Sequence, residues 1–322
     1  MKPGLSATIF TIMISESIIS PFCQAASFMS LGDLPGGKFF SIPLDISADG
    51  NVVVGQSESD SGLEAFRWTL ADGMVGLGTL PGGSFSQANG VSADGSVVVG
   101  SSSTGLMLEA FRWTQADGMV GMGTLSDNSV SSEAKDTSAD GGVVVGWSET
   151  GTGFEAFRWT LTDGMVSLGT LTGPNYSSQA NAISMDGNVV VGTSGTPRPT
   201  TEAFHWTQDN GKVSLGDLPL SNTFSQAYGI SDDGTTVVGR GNSASGTEAF
   251  IWTQTVGMAG LGDLPGGNFS SSVAFSTSAD GSVVVGISNG STTPQAFRWD
   301  ATTGMLDLKE ILIDQGLDLT GW

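Results

Sequence analysis

The chain has 322 residues, 39% of them hydrophobic, and a formal net charge of −21 with only 11 Lys plus Arg. That apolar content excludes wholesale disorder, and a surface this acidic repels nucleic acid phosphates and anionic membranes, which removes both as partners. One cysteine cannot form a disulfide framework or a Cys-based zinc site.

Residues 1–25 differ from the rest. Lys2 precedes an apolar run from Leu5 to Ile19, interrupted by Glu16, and PFCQAAS follows. A basic start, a short apolar centre and small residues (Cys23 and Ala25) ahead of Ala26 predict a Sec-type signal peptide, hence an extracellular or cell-surface protein. The run is short and charged for a spanning helix, and no other long apolar run follows, so the chain is not expected to be transmembrane. Cleavage there would remove Cys23, the only thiol.

Residues 26–322 read as a single domain of six repeats. The glycine of an LG(D/T)L anchor recurs at Gly32, Gly78, Gly123, Gly169, Gly216 and Gly262, spaced 45–47 apart. The tryptophan of an AFxW anchor recurs at Trp68, Trp113, Trp159, Trp206, Trp252 and Trp299 with the same spacing. A period near 46 residues belongs to propeller blades and some solenoids, in which each unit needs neighbours to bury its apolar face.

Each repeat predicts four strands: one before an Asp-Gly pair, then VVVG, then EAFRWT, then GMVGLGTL. Asp-Gly between apolar strands is a type I′ hairpin signal. It stands at Asp49-Gly50, Asp94-Gly95, Asp140-Gly141, Asp186-Gly187, Asp233-Gly234 and Asp280-Gly281. The VVV runs lack polar alternation, as in a strand covered on both faces. In EAFRWT, Phe66 and Trp68 share one face and would fill the space between blades, with Ala65 and Arg67 on the other face. The expected fold is therefore an all-β β-propeller of four-stranded blades, with a β-solenoid as the alternative. Residues 28–34, FMSLGDL, match the fourth strand of a preceding unit, which leaves open whether six blades close or a seventh is incomplete.

The run LGTLPGGSFSQANGVSADGSVVVG followed by EAFRWT resembles the HAF-repeat family of bacterial extracellular proteins, over residues 28–322. The resemblance implies an exported propeller-like module of unassigned activity, some members being joined to an autotransporter barrel, and it supplies no catalytic residues. Glu stands here at the signature's first position, Gln295 in the last copy, and Ile251 where other copies have Arg or His.

No catalytic, cofactor-binding or metal site is expected. His205, the only histidine, replaces an arginine of the repeat (Arg67, Arg112, Arg158, Arg298), and the PGG segments lack the GKS/T of a phosphate loop. Glu64, Glu109, Glu155, Glu202 and Glu248 recur too regularly to mark one acid/base pair and suggest a repeated contact to an Arg or a turn amide. The S-A-D-G segments only loosely resemble a sialidase Asp-box. One Asp per turn, with Asp232, Asp233 and Asp60 as extra carboxylates, does not reach the 6–8 oxygens of calcium.

The expectation is a monomeric, non-enzymatic binding module for an extracellular glycan or protein surface. Its contacts would lie in segments 56–63, 101–108, 147–154, 193–201 and 240–247, where the repeats differ. A hydrolase of extracellular polysaccharide using channel carboxylates, or a passive structural passenger, are the alternatives.

Overall fold

A computed structural model describes residues 29–105, 107–126, 131–171, 177–195, 201–219, 224–266, 270–289 and 293–320; the segment read as a signal peptide, with Cys23, lies outside them. In the first repeat, β1 (Gly36–Ile46), β2 (Val52–Ser59), β3 (Gly62–Thr69) and β4 (Gly73–Gly76) form an antiparallel meander. The same meander recurs at 86–121, 132–167, 178–214, 225–260 and 270–307, so the period read from the two anchors is one blade. These antiparallel ladders exclude the solenoid, whose coils pair in parallel. Among the described residues parallel pairing is confined to short contacts between blades, such as Gly246 with Ser270 and Thr247 with Ser271.

The Asp-Gly hairpins differ from the two-residue turns expected. Ser47 N–H donates to Val52 O at 2.9 Å and Gly50 N–H to Ser47 O at 2.8 Å, which leaves residues 48–51 in the loop. Gly50 takes the left-handed conformation at φ 71°, while Asp49 works through its side chain. Its carboxylate accepts the Ser47 hydroxyl at 2.6 Å and Asn51 N–H at 3.0 Å, and Val52 N–H donates to Ser47 Oγ at 3.0 Å. An Asp that satisfies the turn from its side chain removes the need for a second left-handed residue.

The fourth strand is also shorter than expected. GMVG is strand, whereas LGTL is a connector, because Gly78 at φ 76° turns the chain out of the sheet. The N-terminal LGDL is likewise a connector: residues 29–34 carry no strand. Leu34 N–H donates to Ser57 Oγ at 3.0 Å, as Leu80 N–H does to Ser102 Oγ at 2.9 Å and Leu264 N–H to Ser288 Oγ at 3.0 Å.

First strands are innermost, each packing on the next around an axis. Between blades 1 and 2, Val54 and Ala65 of the first meet Leu80, Ala88, Val98 and Phe111 of the second. The opposite faces of β2 and β3 send Val53, Phe66 and Trp68 against Leu31 and Leu34. The six AFxW phenylalanines are all 0% exposed, and a buried side chain of that size contributes about 1.5–3 kcal/mol.

Two hydrogen-bond series tie the blades together. Ala65 N–H reaches Ser86 Oγ of the next blade at 2.8 Å, and Ala110, Ala156, Ala203 and Ala249 repeat the contact with Ser132, Ser178, Ser225 and Ser272. A backbone series then runs from loop to loop, Ala48 to Ala93 to Ala139 to Met185 to Asp232 to Ala279. Among the described residues no packing of comparable extent joins blade 6 back to blade 1. The helix α1 (Leu308–Asp314) follows blade 6 in the connector's place and buries Leu308 and Leu312 against that blade's last two strands. No helix among the described residues is long and apolar enough to cross a membrane.

Candidate functional site on the axial strands

The repeat uses its columns unevenly. Columns that face a neighbouring blade hold nearly the same residue in every copy: Val54, Val99, Val145, Val191 and Val238, or Ala65, Ala110, Ala156, Ala203 and Ala249, all 0% exposed. Columns on the first strands that line the axis, and their partners on the second strands, do not. Gln56, Ser101, Trp147, Thr193, Arg240 and Ile287 stand opposite Ile42, Gln87, Glu133, Gln179, Gln226 and Val273. One further column on the first strand, at the bulge of each register, holds Leu44, Asn89, Lys135, Asn181, Tyr228 and Phe275. A bulge re-aims a side chain, and from this column Asn89 and Asn181 donate to the next blade's first strand, at Ala134 O (2.8 Å) and Ala227 O (2.7 Å).

Segments 56–63, 147–154 and 240–247, picked out because the repeats differ there, each open on this axial column and are mostly strand. β2 runs to Ser59 and β3 starts at Gly62, so only residues 60 and 61 are loop in blade 1. Residue 106 of the segment 101–108, and residues 196–200 of the segment 193–201, lie outside the described residues.

Two polar clusters occupy the axial columns. In blades 2 and 3, Asn89 donates to Glu133 Oε1 at 3.0 Å, Lys135 pairs with the same oxygen at 2.9 Å, and Trp147 Nε1–H donates to Glu133 Oε2 at 3.0 Å. Phe154 stacks edge-on against Trp147, with ring centroids 4.8 Å apart. In blade 5, Arg240 donates Nε–H and Nη2–H to Gln226 Oε1 at 2.9 and 2.7 Å, and the Tyr228 hydroxyl donates to that oxygen at 2.7 Å. The guanidinium lies 5.6 Å from the Phe224 ring centroid and 5.7 Å from that of Tyr228.

Two carboxylates deeper along the first strands escaped the sequence reading. Asp45 Oδ2 accepts Val91 N–H at 2.8 Å and Asp136 Oδ2 accepts Ile183 N–H at 2.9 Å, each from the following blade. Burial, with the charge of Asp136 adding to it, pushes the Asp45 carboxyl up to about 7 against the lowering pull of the Ile46 and Val91 amides. Burial pushes Asp136 up to about 6. The other copies carry Gly90, Ala182, Gly229 and Ser276 at this column, so only an axial geometry brings the two acids into one field. Both hold the next blade by a backbone amide, which is a positioning role.

The residues weighed in the sequence have local duties. Glu64, Glu109 and Glu248 accept the connector amides of Gly78, Gly123 and Gly262 at 2.8, 2.9 and 3.0 Å, the turn-amide contact rather than one to an arginine. His205 packs edge-on against Trp252 of the next blade at 5.8 Å, where Arg67 and Arg112 reach the turn carbonyls of Gly95 and Gly141. Asp94, Asp140, Asp186, Asp233 and Asp280 each bind their own loop's serine hydroxyl, which draws their carboxyls below the usual range; for Asp94 the hydroxyl and amide of Ser96 weigh more. Asp232 is shifted up, by burial and then by the charge of Asp233. No three of His, Cys, Asp and Glu converge among the described residues. Lys212 departs from the repeat, standing where Met74, Met119, Met165, Met258 and Met305 stand. Its ammonium lies 4.1 Å from the Phe204 ring centroid, and burial lowers it to about 7 while Glu155 opposes the shift.

No family model matches the chain, and no curated protein is significantly similar to it. Solved structures are similar in fold. A putative TolB from Agrobacterium tumefaciens aligns at TM-score 0.52 and 18% identity over 70% of this chain and 80% of its own. The Myceliophteria thermophila Cps50 (Swd1) β-propeller domain aligns at TM-score 0.50 and 10% identity over 84% and 86%. A chain from a study of two prolyl endopeptidases aligns at TM-score 0.57 and 12% identity over 83% of this chain and 42% of its own. The chain spans 51% of the length of TolB from Acinetobacter baumannii. At these identities the likeness shows the fold alone: the protein is a β-propeller.

Proposed function

We propose that the protein is an exported, non-enzymatic binding module of the HAF-repeat type, which takes an extracellular glycan or protein surface on its axial strands. One observation carries this reading. The columns between blades hold one residue type throughout, while the axial columns change from copy to copy and gather Trp147, Glu133, Lys135, Tyr228 and Arg240. A passive scaffold has no need of varied chemistry there, whereas a recognition surface does.

A glycan array and cell-surface binding by the whole chain test the reading, repeated with Trp147→Ala and Tyr228→Ala. Specific binding that both substitutions weaken is the expected result. Binding unchanged by either would place the contact elsewhere, and steady turnover of a polysaccharide would favour the hydrolase.

A further inference from the structure

Resting on that reading, we infer that the ligand carries a carboxylate on a saccharide ring, as in a uronate residue, and that Arg240 receives the carboxylate while Tyr228 and Phe275 receive the ring.

The argument starts from an unbalanced charge. The chain is strongly acidic, and its described ion pairs are Lys38 with Glu58, Lys135 with Glu133, and Arg298 with Asp300. Arg240 has no acidic partner among the described residues. Its two hydrogen bonds among the described residues both end on the neutral Gln226 Oε1, which the Tyr228 hydroxyl also shares. Gln226 is an uncharged amide, so it orients the guanidinium without neutralising it. Guanidinium has five N–H donors, of which two are engaged here, and a fork of free N–H groups matches a carboxylate in two parallel bonds.

The surroundings suit a ring-bearing acid. Phe224 and Tyr228 flank the guanidinium, and Phe275 lies 6.0 Å from Tyr228 and is 41% exposed. Aromatic faces beside a cation offer an apolar bed next to the charge. No other copy builds this set: the column of Arg240 holds Gln56, Ser101, Trp147, Thr193 and Ile287 elsewhere.

Calorimetric titration of the full chain with three probes tests the inference: oligogalacturonate, its methyl ester, and acetyl-dialanine as a carboxylate without a ring. The acid is expected to bind, with the methyl ester and the Arg240→Gln variant each weaker by about tenfold or more, the worth of a charge-assisted bond. Binding of the acid should also weaken with added salt. Phe275→Ala should weaken oligogalacturonate and leave acetyl-dialanine unchanged, and thermal melts should show both variants folded. Equal affinity for acid and ester, full affinity in Arg240→Gln, or no affinity for any probe would overturn the inference. Tighter binding of acetyl-dialanine than of the saccharide would overturn the ring. Neutral glycans that bind Arg240→Gln as well as the parent chain would sink this inference alone, while leaving the axial binding surface standing.

Discussion

The face that blade 5 turns to blade 6 and the corresponding face of blade 6 are built from nearly the same letters and live in different surroundings. Val238 and Ala249 are 0% exposed beneath Ala274, Val284 and Phe297 of blade 6. Val285, the same position one repeat later, is 39% exposed, and Ala296 beside it is exposed as well. Ala249 N–H has the Ser272 hydroxyl at 2.9 Å, and the loop-to-loop series of backbone bonds reaches blade 6 at Ala279. α1 covers only the part against the last two strands. A blade therefore owes its core to the neighbour that covers it, not to its own four strands, as expected of a repeat architecture.

Paired substitutions across this contrast are its sharpest test. Val99→Asp buries an unpaired carboxylate between blades 2 and 3 and should cost more than about 4 kcal/mol or abolish the soluble fold. Val285→Asp on the open face should stay within about 1 kcal/mol by denaturant unfolding. Near-equal costs would break the comparison. Phe157→Ala empties the space between blades 2 and 3 and should cost about 3–5 kcal/mol.

A pH effect comes next in size. Asp45 has a folded pKa of about 7, above its unfolded value, so the folded state holds a proton that the unfolded state has released. Its contribution is present below the unfolded pKa near 4 and is lost as pH rises through 7. Asp45→Asn should therefore change little at pH 4 and stabilise the chain at pH 8, by up to about 4 kcal/mol. A variant that is no more stable than the parent at pH 8 would mean that the carboxylate is well solvated.

The smallest contrast uses two serines. Ser132 accepts Ala110 N–H of the preceding blade at 2.9 Å and donates to Gly123 O at 2.6 Å, so Ser132→Ala should cost about 1–3 kcal/mol. Ser41, its counterpart on blade 1, donates to Gly32 O at 2.9 Å and receives nothing from another blade among the described residues, so Ser41→Ala should cost under about 1 kcal/mol.

The period, the strand sequence and the side of EAFRWT that meets each neighbour were legible in the residues, because a strand's alternation and a fixed repeat are one-dimensional signals. The connector was misread as strand, since the leucines of LGTL continue the apolar pattern while Gly78 ends the sheet by its backbone alone. The four-residue hairpin loops were hidden for a related reason: Asp49 supplies through its side chain what a second left-handed residue would supply through φ. Arg240 fell inside a segment marked as variable, but its neighbours Gln226, Tyr228 and Phe275 come from other strands, and only the axial packing gathers them. Asp45 and Asp136 occupy the same repeat position, but one copy lies between them and the other copies hold Gly90, Ala182, Gly229 and Ser276 there, so only the folded blades bring the two acids together.

Native-state hydrogen exchange at the third-strand alanines tests most directly whether a blade face is protected only where the next blade covers it. Ala110 and Ala249 N–H, each bound to a serine of the following blade, should exchange near the slowest rate of the chain, and Ala296 N–H should exchange orders of magnitude faster. An Ala296 as protected as Ala249 would contradict the account, since the last face would then be covered in solution as completely as the other five.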